Sequence, residues 1–500
     1  MKIPTPDELQ KAKKPESHTS LADMPEVRHE STKDVLPIDA KRVEIVHAVN
    51  NHQAVVLGAE TGAGKSTRVS RMLMDEGYDV IITEPRRMPA RTVSERVATE
   101  LEQDGLPADL VGYRTGRDRN DTSVARMLYC TDGLQLIREL HEKRIPGQKR
   151  VLVIDEVHEW NINIELLVAW SKKQMQEDPD FKVVCMSATI AGKPLQEYFG
   201  ANAALIEVQG RTYPVEKHIG TGVVPDTVRL AREGKNVLVF LPGVGEIKAK
   251  AQELLQYNLA AEIVCLDGSM DTAEQKKALI SYPNGKIVLT TNVAQNGITI
   301  PDIDAVVDCG LERRTEVRNG IEGLFLADIS QADCLQRAGR AGRVKAGEYY
   351  LSPLDNATIA PLEARQEYST PEILRSRLDS VIMKLAGAGF DIEEFDFYHQ
   401  PPKQEVAIAK ERLIKLGALS PDGVLTTVGK QMERLPVDSH YARMLVEIQK
   451  HNNPQLTFMM MELIAIQQAG GIVKNGKYNT EWQRIRSRIL FDLKKEKGGN

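Results

Sequence analysis

No apolar stretch in this 500-residue chain is long and clean enough to cross a bilayer. The most apolar span, Leu456 to Val473, is broken by Glu462, Gln467 and Gln468, which a hydrocarbon core would penalise. The N-terminus has no apolar signal core. Cysteine is scarce: Cys130, Cys185, Cys265, Cys309 and Cys334 are scattered and none forms a CxxC pair. That spacing argues against zinc and against a disulfide framework, and favours reduced thiols held mostly in cores. Charge of one sign is lacking as well. The net charge is −5, so no global positive field advertises nucleic acid, although local grooves matter more than totals. There is no repeat of solenoid period and no long low-complexity tract. What is present is 42% hydrophobic residues, enough for ordinary cores in roughly two to four domains. A soluble, intracellular, cytoplasmic protein is expected.

Residues 1–36 are rich in Lys, Glu, Pro, Ser and Asp with few large apolar residues, and are expected to form a flexible arm. From 37 to 207, apolar runs alternate with helical patterns. The predicted strands are Ala54–Leu57, Val80–Thr83, Met127–Cys130, Val151–Ile154 and Val183–Met186. That alternation predicts an α/β domain, a parallel sheet covered by helices. A second cycle over 208–369 supplies Asn236–Leu241, Ile263–Leu266, Lys286–Thr290, Ala305–Asp308 and Glu348–Leu351. After about 370 the texture is helical. Residues Val406, Ala409, Leu413, Leu416 and Leu419 recur at helical spacing. Then Ser420-Pro421-Asp422-Gly423 makes a turn and Val424–Val428 reads as a strand, together a winged-helix pattern over 370–440. Residues 441–500 read as a short helical region with a charged tail.

Three segments carry chemistry. The apolar run Ala54–Leu57 leads into Gly58-Ala59-Glu60-Thr61-Gly62-Ala63-Gly64-Lys65-Ser66-Thr67. A strand, a glycine-rich loop and Lys-Ser at a helix start build a phosphate cradle from backbone N–H groups. Lys65 can reach β- and γ-phosphates, and the Ser66 hydroxyl can ligate Mg²⁺. About ninety residues on, Val151–Ile154 delivers Asp155-Glu156-Val157-His158 to a strand end. Asp155 is placed to hold Mg²⁺, and Glu156, also at the metal, to polarise an attacking water. Each segment alone has a plainer reading, a chance glycine loop or an exposed acidic strand end. Together and in this order they indicate binding and hydrolysis of a nucleoside triphosphate. The third segment is Gln336-Arg337-Ala338-Gly339-Arg340-Ala341-Gly342-Arg343. On its own this is a solvated basic helix. Facing a phosphate loop across a cleft, Arg340 and Arg343 become candidates to neutralise charge on the γ-phosphate. The second α/β cycle has no phosphate loop, which suggests a nucleotide clamped between two domains.

With Ser187-Ala188-Thr189 added, this set resembles the DEAH-box (DEAH/RHA) helicases of superfamily 2, over about residues 37–450. Further matches are Glu84-Pro85-Arg86-Arg87, Thr131-Asp132-Gly133, Gly210–Val215, Phe240-Leu241-Pro242-Gly243 and Thr291–Ile300. The resemblance implies tandem RecA-like domains with ATP (or another NTP) and Mg²⁺ between them. It assigns water orientation to Gln336 and coupling of nucleotide state to domain closure to His158, Ser187 and Thr189. Arg86, Arg87, Thr131, Asp132 and Thr291 would line a single-stranded nucleic-acid track, RNA favoured over DNA, through sequence-blind contacts. Arg96 would stack on the base, with Leu279 or Tyr282 opposite. The implied activity is 3′–5′ unwinding or remodelling of RNA. Alternatives are a non-unwinding NTPase switch and a phosphatase acting on nucleotides or RNA 5′-triphosphates. Departures are Val157 for the usual Ala, Gln295-Asn296-Gly297 where many members carry Glu-Thr-Ser, and a C-terminal region without a recognisable OB-fold.

Overall fold

The computed structural model describes residues 35–500, save 61, 117, 143–146, 189–191, 211–212, 269, 271, 297–299, 319–320, 344, 356, 470, 475–476, 479–480 and 498–500. The flexible arm expected over 1–36 thus lies almost wholly outside the described residues, as do Thr61 and Thr189.

Strands β1 Ala54–Ala59, β2 Asp79–Glu84, β3 Val111–Arg114, β4 Met127–Thr131, β5 Arg150–Ile154, β6 Val183–Ser187 and β7 Ala203–Val208 form one sheet. Its order is β3-β4-β2-β5-β6-β1-β7, and every pairing is parallel. Near-continuous apolar runs such as Val-Leu-Val-Ile in β5 suit a sheet buried on both faces. Strands β1 and β5, which precede the phosphate loop and the Asp155 pair, are both flanked on either side and, being parallel, end on the same side of the sheet. The two edge strands β3 and β7 were not predicted: Val111-Gly112-Tyr113-Arg114 is too short and mixed to stand out from its flanks.

Strands β8 Val215–Ile219, β9 Val237–Phe240, β10 Glu262–Leu266, β11 Lys286–Thr290, β12 Ala305–Asp308 and β15 Gly347–Leu351 form a second parallel sheet, in the order β10-β11-β9-β12-β15-β8. Between β12 and β15 the chain makes an antiparallel hairpin, β13 Leu311–Arg318 with β14 Ile321–Asp328, which was not predicted. Its charged residues (Glu312, Arg313, Arg314, Glu316, Arg318) mask the alternation that marks a strand. The chain is therefore built on tandem RecA-like parallel-sheet domains.

The remainder is mostly helical, with Asp379–Gly387, Lys403–Lys415, Thr427–Glu433, Ser439–Gln449, Pro454–Gln468 and Glu481–Lys497, plus a short antiparallel pair of Val473–Lys474 with Lys477–Tyr478. The predicted strand Val424–Val428 is corrected. Only Leu425 pairs, in a single antiparallel bridge with Leu419. Thr426 Oγ1 accepts from the Gly429 amide 2.9 Å away and caps the helix starting at Thr427. That N-cap competes with strand pairing and prevails. These helices do not sit apart: Val381, Leu385, Leu413 and Leu445 share one apolar cluster with Leu167, Val168 and Trp170 of the first domain. Trp160 stacks on Tyr398 at 4.8 Å, and His399 Nδ1 meets the buried Glu165 carboxylate at 2.8 Å. Among the described residues, no helix is long and apolar enough to cross a membrane.

Candidate active site

The turn after β1 uses glycine where the backbone demands it. Gly62 and Gly64 have φ of 87° and 92°, a region other residues enter at a cost. Gly64 is the N-cap of the helix Lys65–Asp75 and brings no side chain to its first amides. A helix N-terminus with open N–H groups receives an anion well. Lys65 is buried at this turn, and its ammonium lies 3.0 Å from Glu156 Oε1. Beside it, Ser66 Oγ donates to Asp155 Oδ2 at 2.5 Å.

Glu156 takes a left-handed backbone, φ 53°. Strain of this kind at a non-glycine residue marks functional loops, and here it turns the carboxylate from the β5 edge back to Lys65. Burial acts to raise the Glu156 carboxyl, but Lys65, His158 and Arg340 outweigh it and hold it below the usual carboxylate range. Asp155 moves the other way: burial pushes its carboxyl up to about 6, against the pull of Lys65. Burial also acts to lower Lys65, yet Glu156 and Asp155 outweigh it and raise the ammonium. Burial keeps His158 below its usual value, with Glu156 opposing. A third carboxylate, Glu84 at the end of β2, is buried in the same field and raised well above its range, first by burial and then by Asp155 and Glu156. Sequence reading treated Glu84 only as part of a motif; its place on the same sheet edge as Asp155 could have flagged it.

The second domain closes over this face. Gln336 Nε2 lies 3.1 Å from His158 Nε2, and Arg86 Nη1 donates to the Asn292 carbonyl at 2.8 Å. Arg340 is buried and donates through Nη2 to the Gln295 carbonyl, while its Nε has no hydrogen-bond partner. Burial and the neighbouring Arg343 push Arg340 well below its usual value, with Glu156 opposing. Burial likewise pushes Arg343 down to about 10. The segment joining the sheets is pinned at both ends of the cleft: Gly210 N donates to Glu60 Oε2 at 3.1 Å, and Tyr213 N to the Gly342 carbonyl at 2.9 Å. Both glycines are sterically required, since a Cβ on either would sit 2.7 Å from its neighbour.

The residues expected on a nucleic-acid track fare unequally. Arg86 and Arg87 begin the helix after β2, and Arg86 is also 3.4 Å from Glu159. Thr131 ends β4 as the N-cap of Asp132–His141, and Thr291 follows β11 half-buried. Asp132 is buried, its carboxylate accepting from Asn161 Nδ2 at 2.7 Å, so that side chain faces the protein interior. Of the base-stacking candidates, Arg96 is 65% exposed and paired with Glu100, whereas Leu279 and Tyr282 pack against the second domain's core.

Burial pushes the Asp132 carboxyl up to about 6. A carboxyl whose folded pKa exceeds its unfolded value of about 3.9 binds its proton more tightly when folded. Stability is therefore lost as pH rises from about 4 to about 6. Asp132→Asn should lose about 2 kcal/mol less than the wild type across that window, measured as urea midpoints at its two ends. An identical pH dependence in the two proteins would exclude the assignment.

The oxygens of Ser66 and Asp155 suit a hard cation, since Mg²⁺ binds through one or two carboxylates and substrate phosphates. Glu156 Oε2 is buried with no hydrogen-bond partner, an oxygen open to a water or ion.

The DEAD/DEAH box helicase family model matches residues 40–198, and the helicase conserved C-terminal domain model matches 222–345. The chain is 34% identical over 462 residues to the ATP-dependent RNA helicase HrpA of Escherichia coli, covering 87% of this chain and 35% of that protein. It is 32% identical to the probable ATP-dependent RNA helicase DHX35 homolog of Caenorhabditis elegans, covering 82% of this chain and 60% of that one. The crystal structure of the Escherichia coli DEAH/RHA helicase HrpB superposes with a TM-score of 0.76 at 30% identity, over 92% of this chain and 61% of that chain. The chain thus spans about a third to three fifths of these relatives. With both helicase modules matched in order and tandem RecA-like sheets facing one nucleotide cleft, the chain belongs to the DEAH-box helicases of superfamily 2.

Proposed function

We propose that this chain is an NTP-driven motor that hydrolyses ATP and translocates 3′ to 5′ along single-stranded RNA, remodelling or unwinding it. The observation that carries this is the cleft itself: Gln336 touches His158 across the domains while Arg340 and Arg343 feel the Glu156 charge. The triphosphate docks on the amides of Gly62–Ser66, and Lys65 leaves Glu156 for the β- and γ-phosphates. Ser66 and Asp155 would hold Mg²⁺, which would supply charge neutralisation on the phosphates. Glu156 accepts a proton from a water oriented with Gln336. The water oxygen bonds to the γ-phosphorus as the bond to the bridging oxygen breaks, releasing ADP and phosphate. Arg340 and Arg343 offset the charge that develops on the γ-phosphoryl oxygens.

His158 and Ser187, 3.2 Å apart, with Thr189, transmit nucleotide state to domain closure. Arg86, Arg87 and Thr291 grip phosphates and sugars, as does the Thr131-Asp132 turn through its backbone and hydroxyl. The printed names of the relatives, RNA helicases, favour RNA over DNA. The test is NTP hydrolysis with single-stranded RNA, single-stranded DNA or no polymer, at stated salt, alongside separation of a 3′-tailed duplex. Stimulation by RNA with strand separation is expected. Stimulation without separation would leave an NTPase switch, and hydrolysis of RNA 5′-triphosphates competing with ATP would point to a phosphatase.

A further inference from the structure

Glu156 and Trp160 flank one tight helical turn, Val157–Glu159, and both are left-handed, with φ of 53° and 39°. Neither is glycine, so each conformation costs energy and persists only where the surroundings over-determine it. At Glu156 the surroundings include the buried ammonium of Lys65. At Trp160 they come from the part of the chain that follows the second sheet. The indole is buried and stacks on Tyr398, with ring centroids 4.8 Å apart and 8° between the planes. The His399 ring meets the indole edge-on at 4.6 Å. His399 is itself fixed, since its Nδ1 and its backbone N each lie 2.8 Å from the buried Glu165 carboxylate. Glu372 brackets Trp160 through the backbone. Its N–H donates to the Trp160 carbonyl at 3.0 Å, and its Oε2 accepts from the Ile162 amide at 3.1 Å.

The link from this anchor to Glu156 is short. The Trp160 N–H donates to the Val157 carbonyl at 3.0 Å, and the Glu159 N–H donates to the Glu156 carbonyl at 2.9 Å. These bonds tie the two left-handed residues into one unit. Beyond Trp160 the chain is held as well. Asn161 caps the helix Ile162–Glu177 by accepting from the Ile164 amide at 3.0 Å, and its Nδ2 donates to the buried Asp132 at 2.7 Å. A residue 160 that left the left-handed region would therefore displace what precedes it, the turn and the carboxylate at its head. Resting on the proposed hydrolytic role of Glu156, we infer that Trp160 is a positioning residue: anchored by Tyr398 and Glu372, it holds the turn that aims Glu156 at the attacking water. The C-terminal part of the chain thereby acts on the hydrolytic centre through the backbone.

Two pairs of variants separate this role from packing. Trp160→Gly and Trp160→Val both delete the indole and its stack, and both should melt below the wild type. They differ in the backbone, because glycine enters the left-handed region freely whereas a β-branched residue is an outlier there. Trp160→Gly should therefore hydrolyse ATP about tenfold faster than Trp160→Val, the scale of one residue's left-handed penalty. KM for ATP should differ by less than about threefold between them, since an aim needed only in the transition state enters kcat. A packing role alone gives the smaller residue no reason to be the faster. The Tyr398 pair keeps Trp160 in place. Tyr398→Leu removes the stacked ring and should lower kcat about fivefold, the scale of one aromatic pair, while Tyr398→Phe keeps the ring and should restore the rate.

Steady-state phosphate release over a range of ATP concentrations, with thermal melts of each variant, reads these effects. With an active wild type, equal kcat within either pair, or Trp160→Val faster than Trp160→Gly, would overturn the inference and leave the proposed function standing. If Trp160→Val does not fold, the Tyr398 pair decides alone. A wild type without any NTP hydrolysis would overturn the function itself, and this role with it.

Discussion

Arg343→Ala should lower kcat for ATP hydrolysis by roughly a thousandfold or more, the range set by cationic groups that meet a transferring γ-phosphoryl group. The resting cleft explains why. Arg340 and Arg343 are both buried, burial pushes both below their ordinary values, and Arg343 adds like-charge repulsion to Arg340. The counter-charge they share is Glu156, which Lys65 already claims at 3.0 Å. A triphosphate would bring anionic oxygens to these buried guanidinium groups, and the transition state more so, since its peripheral oxygens gain charge. Affinity for ADP, which lacks the γ-phosphate, should scarcely change. Stopped-flow turnover and ADP titration read the two effects. Arg343→Lys should recover only part of the rate, since an ammonium keeps the charge but not the planar fork. Turnover of Arg343→Ala within tenfold of wild type would remove Arg343 from the reacting centre.

The parts of this cleft that were legible in the sequence are those whose chemistry is local. A buried strand, φ-positive glycines and a Lys-Ser helix start lie within fourteen residues, Ala54 to Thr67, and the structure assembles them as the spacing implies. The same holds for Val151–Glu156. The pairing of these segments with Gln336–Arg343 could be raised from the residues only as a condition, a basic helix facing the phosphate loop, because no spacing rule brings a helix of one domain against a strand end of another. What stayed hidden depends on burial or on cross-domain geometry. Asp132 looked like a nucleic-acid contact, but its carboxylate turns inward to Asn161. Gln295 looked like a departure at one motif position, and its burial among Arg337, Asp333 and Gln336 shows only in the structure. The hairpin Leu311–Asp328 was hidden because its strands are stabilised by pairing with each other rather than by a buried apolar face. Val424–Val428 misled in the opposite direction: β-branched residues raised the strand signal, while the N-cap at Thr426 decided the outcome.

Glu156→Gln should bind ATP at least as well as wild type and hydrolyse it about 10²–10⁴-fold more slowly, the contribution of a positioned general base. The direction of the binding effect follows from the resting ion pair. Lys65 is buried, with its ammonium 3.0 Å from Glu156 Oε1, and that carboxylate is the main group holding the ammonium's pKa above its usual value. A nucleotide must win Lys65 from this partner before its phosphates are fully neutralised. Gln keeps an oxygen for Lys65 to donate to but gives up the charge, so the competition weakens and ATP affinity rises. The loss in rate has a separate origin, because a neutral amide cannot accept the proton that the attacking water must shed. Lys65→Ala is the mirror case: it should lose both binding and turnover, since the group that reaches the phosphates is gone and Glu156 is left buried without its main counter-charge. Equilibrium ATP binding and single-turnover hydrolysis of the two variants therefore move apart along different axes. Tighter binding with stalled chemistry in Glu156→Gln requires Glu156 to be both the resting clamp on Lys65 and the base. Weakened binding with near-normal chemistry would show it to be only a structural partner of Lys65.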